Sequence, residues 1–301
     1  MIKVKLPKKQ WKRVLVGAMA AMLTVGLVGG CGATTPKPGT PTPSASKTIN
    51  VGYVNWAEDV AVSNLWKVLL TEKGYTVNLK GLDVAPLFVG LNKGELDVFM
   101  DGWLPTTHQV YWDKYKDKLD DYGTWFKGEA KSGLVVPKYV DIKSIEELNA
   151  KKDQFDSKII GIDPGAGIMK STDKAIASYG LNYKVVPSSE AAMMTALDKA
   201  YSAKKPIVIT AWSPHWMFDK YELKFLDDPK KSYGEAEGIH TLANKDFTTK
   251  NPDVAKMLKA FKLDDKQIAS LEKLIKDGMQ PEDAAKKWIA DNKALVDSWM
   301  K

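Results

Sequence analysis

The sequence predicts an α/β fold built as two similar lobes, and three observations lead there. From Thr48 onward, apolar strand-length runs alternate with stretches of helical apolar spacing. The same alternation starts again near Ser144, after a break. Both halves then end an apolar run on a Trp-x-Pro signature, at Trp103 and at Trp212. Strand–helix–strand alternation of this kind implies a largely parallel sheet in each half.

In the first half, strands are expected over residues 49–54, 75–79 and 96–100, with helices over 60–73 and 84–91 between them. In the second, Ser144 followed by Glu147 makes a capping-box start. Strands then fall over 158–162, 183–186 and 207–211, with helices from about Ala166 and over 190–201. The last fifty residues are helical, over 252–261, 265–276 and 281–300. Pro105 and Pro214 each follow their Trp by two residues, a place from which proline can open a helix at its first position. Residues 133–137 and 238–242 are expected to be two hinge strands. The first lobe would then comprise residues 48–136 and 241–301, and the second 137–240. Ligands of open α/β sheets bind beyond the carboxyl ends of strands, so a ligand is expected in the cleft between the lobes.

The net charge of +7 would suggest an anionic partner, but its distribution argues otherwise. Lys3, Lys5, Lys8, Lys9, Lys12 and Arg13 precede any acid, and removing them leaves 38 bases against 37 acids. A near-neutral body excludes a dedicated nucleic-acid binder. The bases precede an apolar run over 14–28, too short for a membrane span of roughly 20 residues. Residues 1–30 therefore read as an export leader. The single cysteine, Cys31, follows Gly29 and Gly30 and stands where a bacterial lipoprotein is lipidated. An ordinary leader with an incidental cysteine is the alternative. Residues 31–47 carry four Pro and no large apolar side chain, the composition of an extended tether. Together these features predict a protein held by lipid at the extracytoplasmic face of the cell membrane.

One cysteine excludes an intramolecular disulfide and a cysteine-based zinc site. There is no phosphate loop, no Gly-x-Ser-x-Gly elbow and no His-Glu-x-x-His. The three histidines, His108, His215 and His240, lack ligand spacing. These absences weaken the enzyme and metalloprotein readings, and neither a metal nor a cofactor is expected.

Ten tryptophans are a high count, and three of them follow or end strands: Trp56, Trp103 and Trp212. An indole face is negative, so several rings enclosing a cation select a large, weakly hydrated one such as quaternary ammonium. Gly165 and Gly167, in the run from Gly161 to Met169, place backbone N–H groups at a helix start, which favours an anion. Lys170 stands where a third glycine would complete a dinucleotide fingerprint, so a small carboxylate fits better. His108 is placed to donate a further hydrogen bond to it. A cation cage beside an anion nest describes a zwitterion. Asp101 and Asp163 are acids expected near the site, of which Asp163 reads as a loop or cap residue, because a carboxylate facing the ligand's own would repel it.

These segments resemble a known family. Tyr53 to Trp56, Gly102 to His108, Gly161 to Met169 and Ala211 to Met217 look like the motifs of the glycine betaine-binding lipoproteins of osmoprotectant ABC importers. The resemblance extends over the chain from Thr48. It implies a two-lobe periplasmic-binding-protein fold of type II-like form. It implies an ammonium cage of Trp56, Trp103 and Trp212, and a carboxylate held by His108 and the amides of Gly167 and Ile168. It also implies ABC permease subunits as partners, a monomeric receptor and no chemistry on the ligand. Choline-preferring relatives tend toward tyrosine-rich cages, so the all-Trp set points to glycine betaine and proline betaine. A carnitine or choline receptor is the alternative within the class. A surface choline-ester hydrolase, for which Ser213 beside Trp212 would be the nucleophile, is the alternative outside it. The remaining tryptophans, Trp216 included, are expected to be packing residues.

Overall fold

The computed structural model describes residues 47–301, so the leader, Cys31 and nearly all of the tether lie outside the described residues. Ten strands form two five-stranded sheets. They are β1 (Thr48–Tyr53), β2 (Thr76–Gly81), β3 (Val98–Leu104), β4 (Leu119–Thr124), β5 (Lys131–Pro137), β6 (Lys158–Ile160), β7 (Lys184–Val186), β8 (Ile209–Ser213), β9 (Leu223–Phe225) and β10 (Gly238–Asn244). The first sheet runs β2-β1-β3-β10-β4 and the second β7-β6-β8-β5-β9. In each, four strands run the same way and one, β10 in the first sheet and β5 in the second, runs against them in the fourth position. The internal repeat inferred from the two Trp-x-Pro segments is therefore a repeat of topology, with β3 and β8 in equivalent positions.

The helices are α1 (Ala57–Glu72), α2 (Val84–Lys93), α3 (Gln109–Tyr115), α4 (Gly167–Tyr179), α5 (Glu190–Ser202), α6 (Met217–Lys220), α7 (Lys245–Lys250), α8 (Pro252–Ala260), α9 (Asp265–Lys276), α10 (Pro281–Asp291) and α11 (Lys293–Trp299). On α1, Ala61, Val62, Leu65, Trp66, Leu69 and Leu70 recur at helical spacing and are all buried. The start of α1 is held from within, because Asp59 accepts from the Val54 N–H and the Ser63 hydroxyl. β3 is buried along its whole length, as a strand covered on both faces must be. None of the helices among the described residues is long and apolar enough to cross a membrane.

Three expectations need correction. The expected hinge strands are full sheet members. β5 pairs with β8 and β9 in the second sheet, and β10 lies between β3 and β4 in the first. Residues 131–136 therefore side with the second lobe and 238–240 with the first. The chain crosses between the sheets just outside these strands, where Ala130 and Glu237 form an isolated antiparallel bridge. Secondly, neither Pro105 nor Pro214 opens a helix. Both follow cis peptide bonds in turns, and α3 and α6 start further on, at Gln109 and Met217. Thirdly, the helix expected over 281–300 is two, broken at Asn292. The Ser144–Glu147 capping box is formed, but it opens a 3-10 stretch, Ile145–Phe155.

Candidate functional site

The second sheet delivers Trp212 at the end of β8, and the first delivers Trp103 at the end of β3. Trp56 is the residue that caps α1. All three rings line one cavity between the lobes. His108, Gly167 and Ile168 line the same cavity, so every residue expected there from the sequence is brought together. Trp56 and Trp212 stand 6.4 Å apart and tilted by 60°, the angle between adjacent faces of a triangular prism.

His108 is fully buried and stacks on Trp56 at 5.9 Å. Its Nδ1 accepts from the Trp103 N–H at 3.0 Å, which places the ring hydrogen on Nε2. Burial, reinforced by Lys170, pushes its pKa down to about 3, so the ring is neutral at physiological pH. Nε2 is buried without a partner, a donor left open beside the cavity. The other donors come from α4, which starts at Gly167 behind Ala166 without a side-chain cap. Its first N–H groups are thus free for an anion. Gly167 is required for a steric reason. A Cβ there would stand 2.1 Å from the Thr107 carbonyl oxygen, which belongs to the opposite lobe.

Of the carboxylates that brace this site, local sequence pointed to Asp101 and not to the others. Asp101 accepts from Trp103 Nε1 at 2.9 Å, and Glu58, a wall of the cavity, accepts from Trp212 Nε1 at 2.9 Å. Two further carboxylates cross between the lobes. Glu190 on α5 accepts from the Ala57 N–H at the start of α1 and pairs with His215. Glu272 on α9 accepts from the Trp216 N–H. Glu237, in a segment joining the sheets, takes the N–H groups of Thr106 and Thr107 and the Thr107 hydroxyl. The lobes are thus fastened by acceptors on one side meeting N–H donors on the other.

Crowding these acids in a dry interface raises their proton affinity. Burial, with Asp101, Glu190 and Glu272 adding to it, pushes Glu58 well above the usual carboxylate range, against the pull of the Trp212 N–H. Asp101 is pushed up to about 7 by burial, despite its bond from Trp103. Glu272 is pushed up to about 8 by burial and by Glu190.

The other aromatic and histidine residues have structural places. Trp66, Trp125, Trp288 and Trp299 are buried in the core, and Trp112 packs against it. Trp216 lies outside the cage cavity, packed beside His215 with Lys276 over its ring. His240 pairs with Asp121. Asp163, read as a loop residue, accepts the Ala166 N–H through its carbonyl oxygen.

Residues 47–291 match the family described as the substrate binding domain of the ABC-type glycine betaine transport system. The chain is 46% identical over 162 residues to the glycine betaine/carnitine transport binding protein GbuC of Listeria monocytogenes; that alignment spans 52% of this chain and about half, 54%, of GbuC. It is 24% identical over 295 residues to the glycine betaine/proline betaine-binding periplasmic protein of Escherichia coli, covering 86% and 87% of the two chains. Among solved structures it resembles lactococcal OpuAC, closed on glycine betaine, with a TM-score of 0.80, 41% identity and coverage of 84% and 99%. It also resembles the glycine betaine/L-proline-binding protein ProX of Borrelia burgdorferi, with a TM-score of 0.81, 35% identity and coverage of 84% and 97%. The chain belongs to the family of substrate-binding domains of ABC-type glycine betaine transport systems.

Proposed function

We propose that this domain captures glycine betaine, and proline betaine with it, outside the cytoplasm and presents it to the permease subunits of an ABC importer. The observation that supports the reading is the meeting of opposite preferences in one cavity. Trp56, Trp103 and Trp212 supply aromatic faces, while His108 Nε2 and the start of α4 supply uncommitted donors. Each desolvated ring against a quaternary ammonium contributes about 2 kcal/mol or more. The donors suit the carboxylate at the other end of the same small molecule. Because rings and donors come from both lobes, ligand contacts favour the closed arrangement over an open one.

Within the reading, the ammonium sits among the indoles and the carboxylate against His108, Gly167 and Ile168. The donor set favours carboxylate-bearing ligands over choline. No step of chemistry is assigned to the site. The export leader, lipidation at Cys31 and action as a monomer complete the proposal. Titration calorimetry with glycine betaine, followed by competition with proline betaine, carnitine and choline, tests it. Tight choline binding with weak betaine binding would contradict the carboxylate nest. Turnover of choline esters by the purified protein would favour the hydrolase alternative.

A further inference from the structure

Ser132 lies on β5, directly opposite Trp212 in the antiparallel pairing with β8. It is 8% exposed, it lines the cage cavity, and its hydroxyl has no hydrogen-bond partner. A buried hydroxyl is costly unless a partner reaches it. The walls around it are indoles, aliphatic groups, Thr107, whose hydroxyl donates to Glu237, and a neutral imidazole whose unpartnered nitrogen is itself a donor. Glu58 is the one carboxylate among the lining residues, and its Oε2 takes the Trp212 N–H.

The ligand's own chemistry identifies the missing partner, provided the betaine reading above holds. A quaternary ammonium carries no hydrogen to donate. A carboxylate offers two oxygens and about four lone-pair sites. His108 Nε2 and the N–H groups of Gly167 and Ile168 supply three donors. We infer that the Ser132 hydroxyl is the fourth, donating to the ligand carboxylate. Ser132 then contributes to the preference for carboxylate-bearing quaternary ammonium compounds. Its position beside Trp212 also places a carboxylate contact and an ammonium contact on adjacent strands of one sheet. The second lobe would in this way hold both ends of the zwitterion.

The test is Ser132→Ala, read by glycine betaine calorimetry and by thermal unfolding of the ligand-free protein. A hydrogen bond to a charged group is lost, so the dissociation constant is expected to rise about tenfold or more. The ligand-free Tm is expected to stay level or rise, because the variant removes a hydroxyl that has no partner in the absence of ligand. An unchanged dissociation constant would overturn the inference. So would an affinity loss accompanied by a fall in ligand-free Tm or by failure to fold, since Ser132 would then be a structural residue. Wild-type protein that does not bind glycine betaine would overturn the functional reading itself, a result visible before any variant is made.

Discussion

Trp212 and Glu58 are 154 positions apart and belong to opposite lobes, yet the indole N–H of one donates to the carboxylate of the other at 2.9 Å. The ring that forms one wall of the cage is thereby oriented by the lobe facing it. Cage assembly and lobe closure become a single event. Glu58→Ala is expected to weaken glycine betaine binding about tenfold, because it leaves a buried N–H unpaired. Glu58→Gln keeps an acceptor and should retain most of the affinity. Calorimetry on the two variants separates these outcomes.

Removing the wall itself has a larger direct effect. Trp212→Ala is expected to cost at least tenfold in affinity, as loss of a desolvated cation–π face should. Equal affinity for the variant and the wild type would remove Trp212 from the cage.

At Gly167 the two lobes come into close contact. An added Cβ would meet Thr107 backbone at 2.1 Å, and backbone has no flexible end to move aside. Gly167→Ala is therefore expected to hold the lobes apart and to weaken binding tenfold or more, while ligand-free stability changes little. Solution scattering with saturating glycine betaine should show compaction for the wild type and none for the variant.

The interface acids make the stability of the closed form depend on pH. Glu272 rises from 4.5 to about 8 and Asp101 from 3.8 to about 7 on folding. The native state thus holds protons that the unfolded chain releases between these limits. Where the folded state binds more protons, stability falls as pH rises. The Tm in saturating glycine betaine, where the lobes are closed, is expected to decline between about pH 5 and pH 8. A change of 1 kcal/mol corresponds to about 2–4 °C in a domain of this size. Glu272→Gln should flatten the slope while keeping the acceptor for Trp216. A Tm that climbs over this range would contradict the assignment.

Much of this arrangement was legible in the sequence because it rests on local signals. Strand–helix alternation predicted two α/β lobes, and Trp-x-Pro marked the ends of β3 and β8. The glycines after Asp163 marked the start of α4. What stayed hidden depends on contacts across the cleft. Glu58 resembles any acid in a first helical turn, and Glu190 any residue following a serine cap. Their roles appear only when residues more than 130 positions away are brought alongside. Ser132 was obscured because residues 133–137 read as a hinge, whereas the strand that carries them belongs to the second sheet.

Calorimetric titration of the domain with glycine betaine tests the central claim most directly. The account predicts saturable binding at one site per chain, with competition by proline betaine and with loss of affinity in Trp56→Ala, Trp103→Ala and Trp212→Ala alike. Absence of saturable binding, or binding indifferent to all three substitutions, would contradict it.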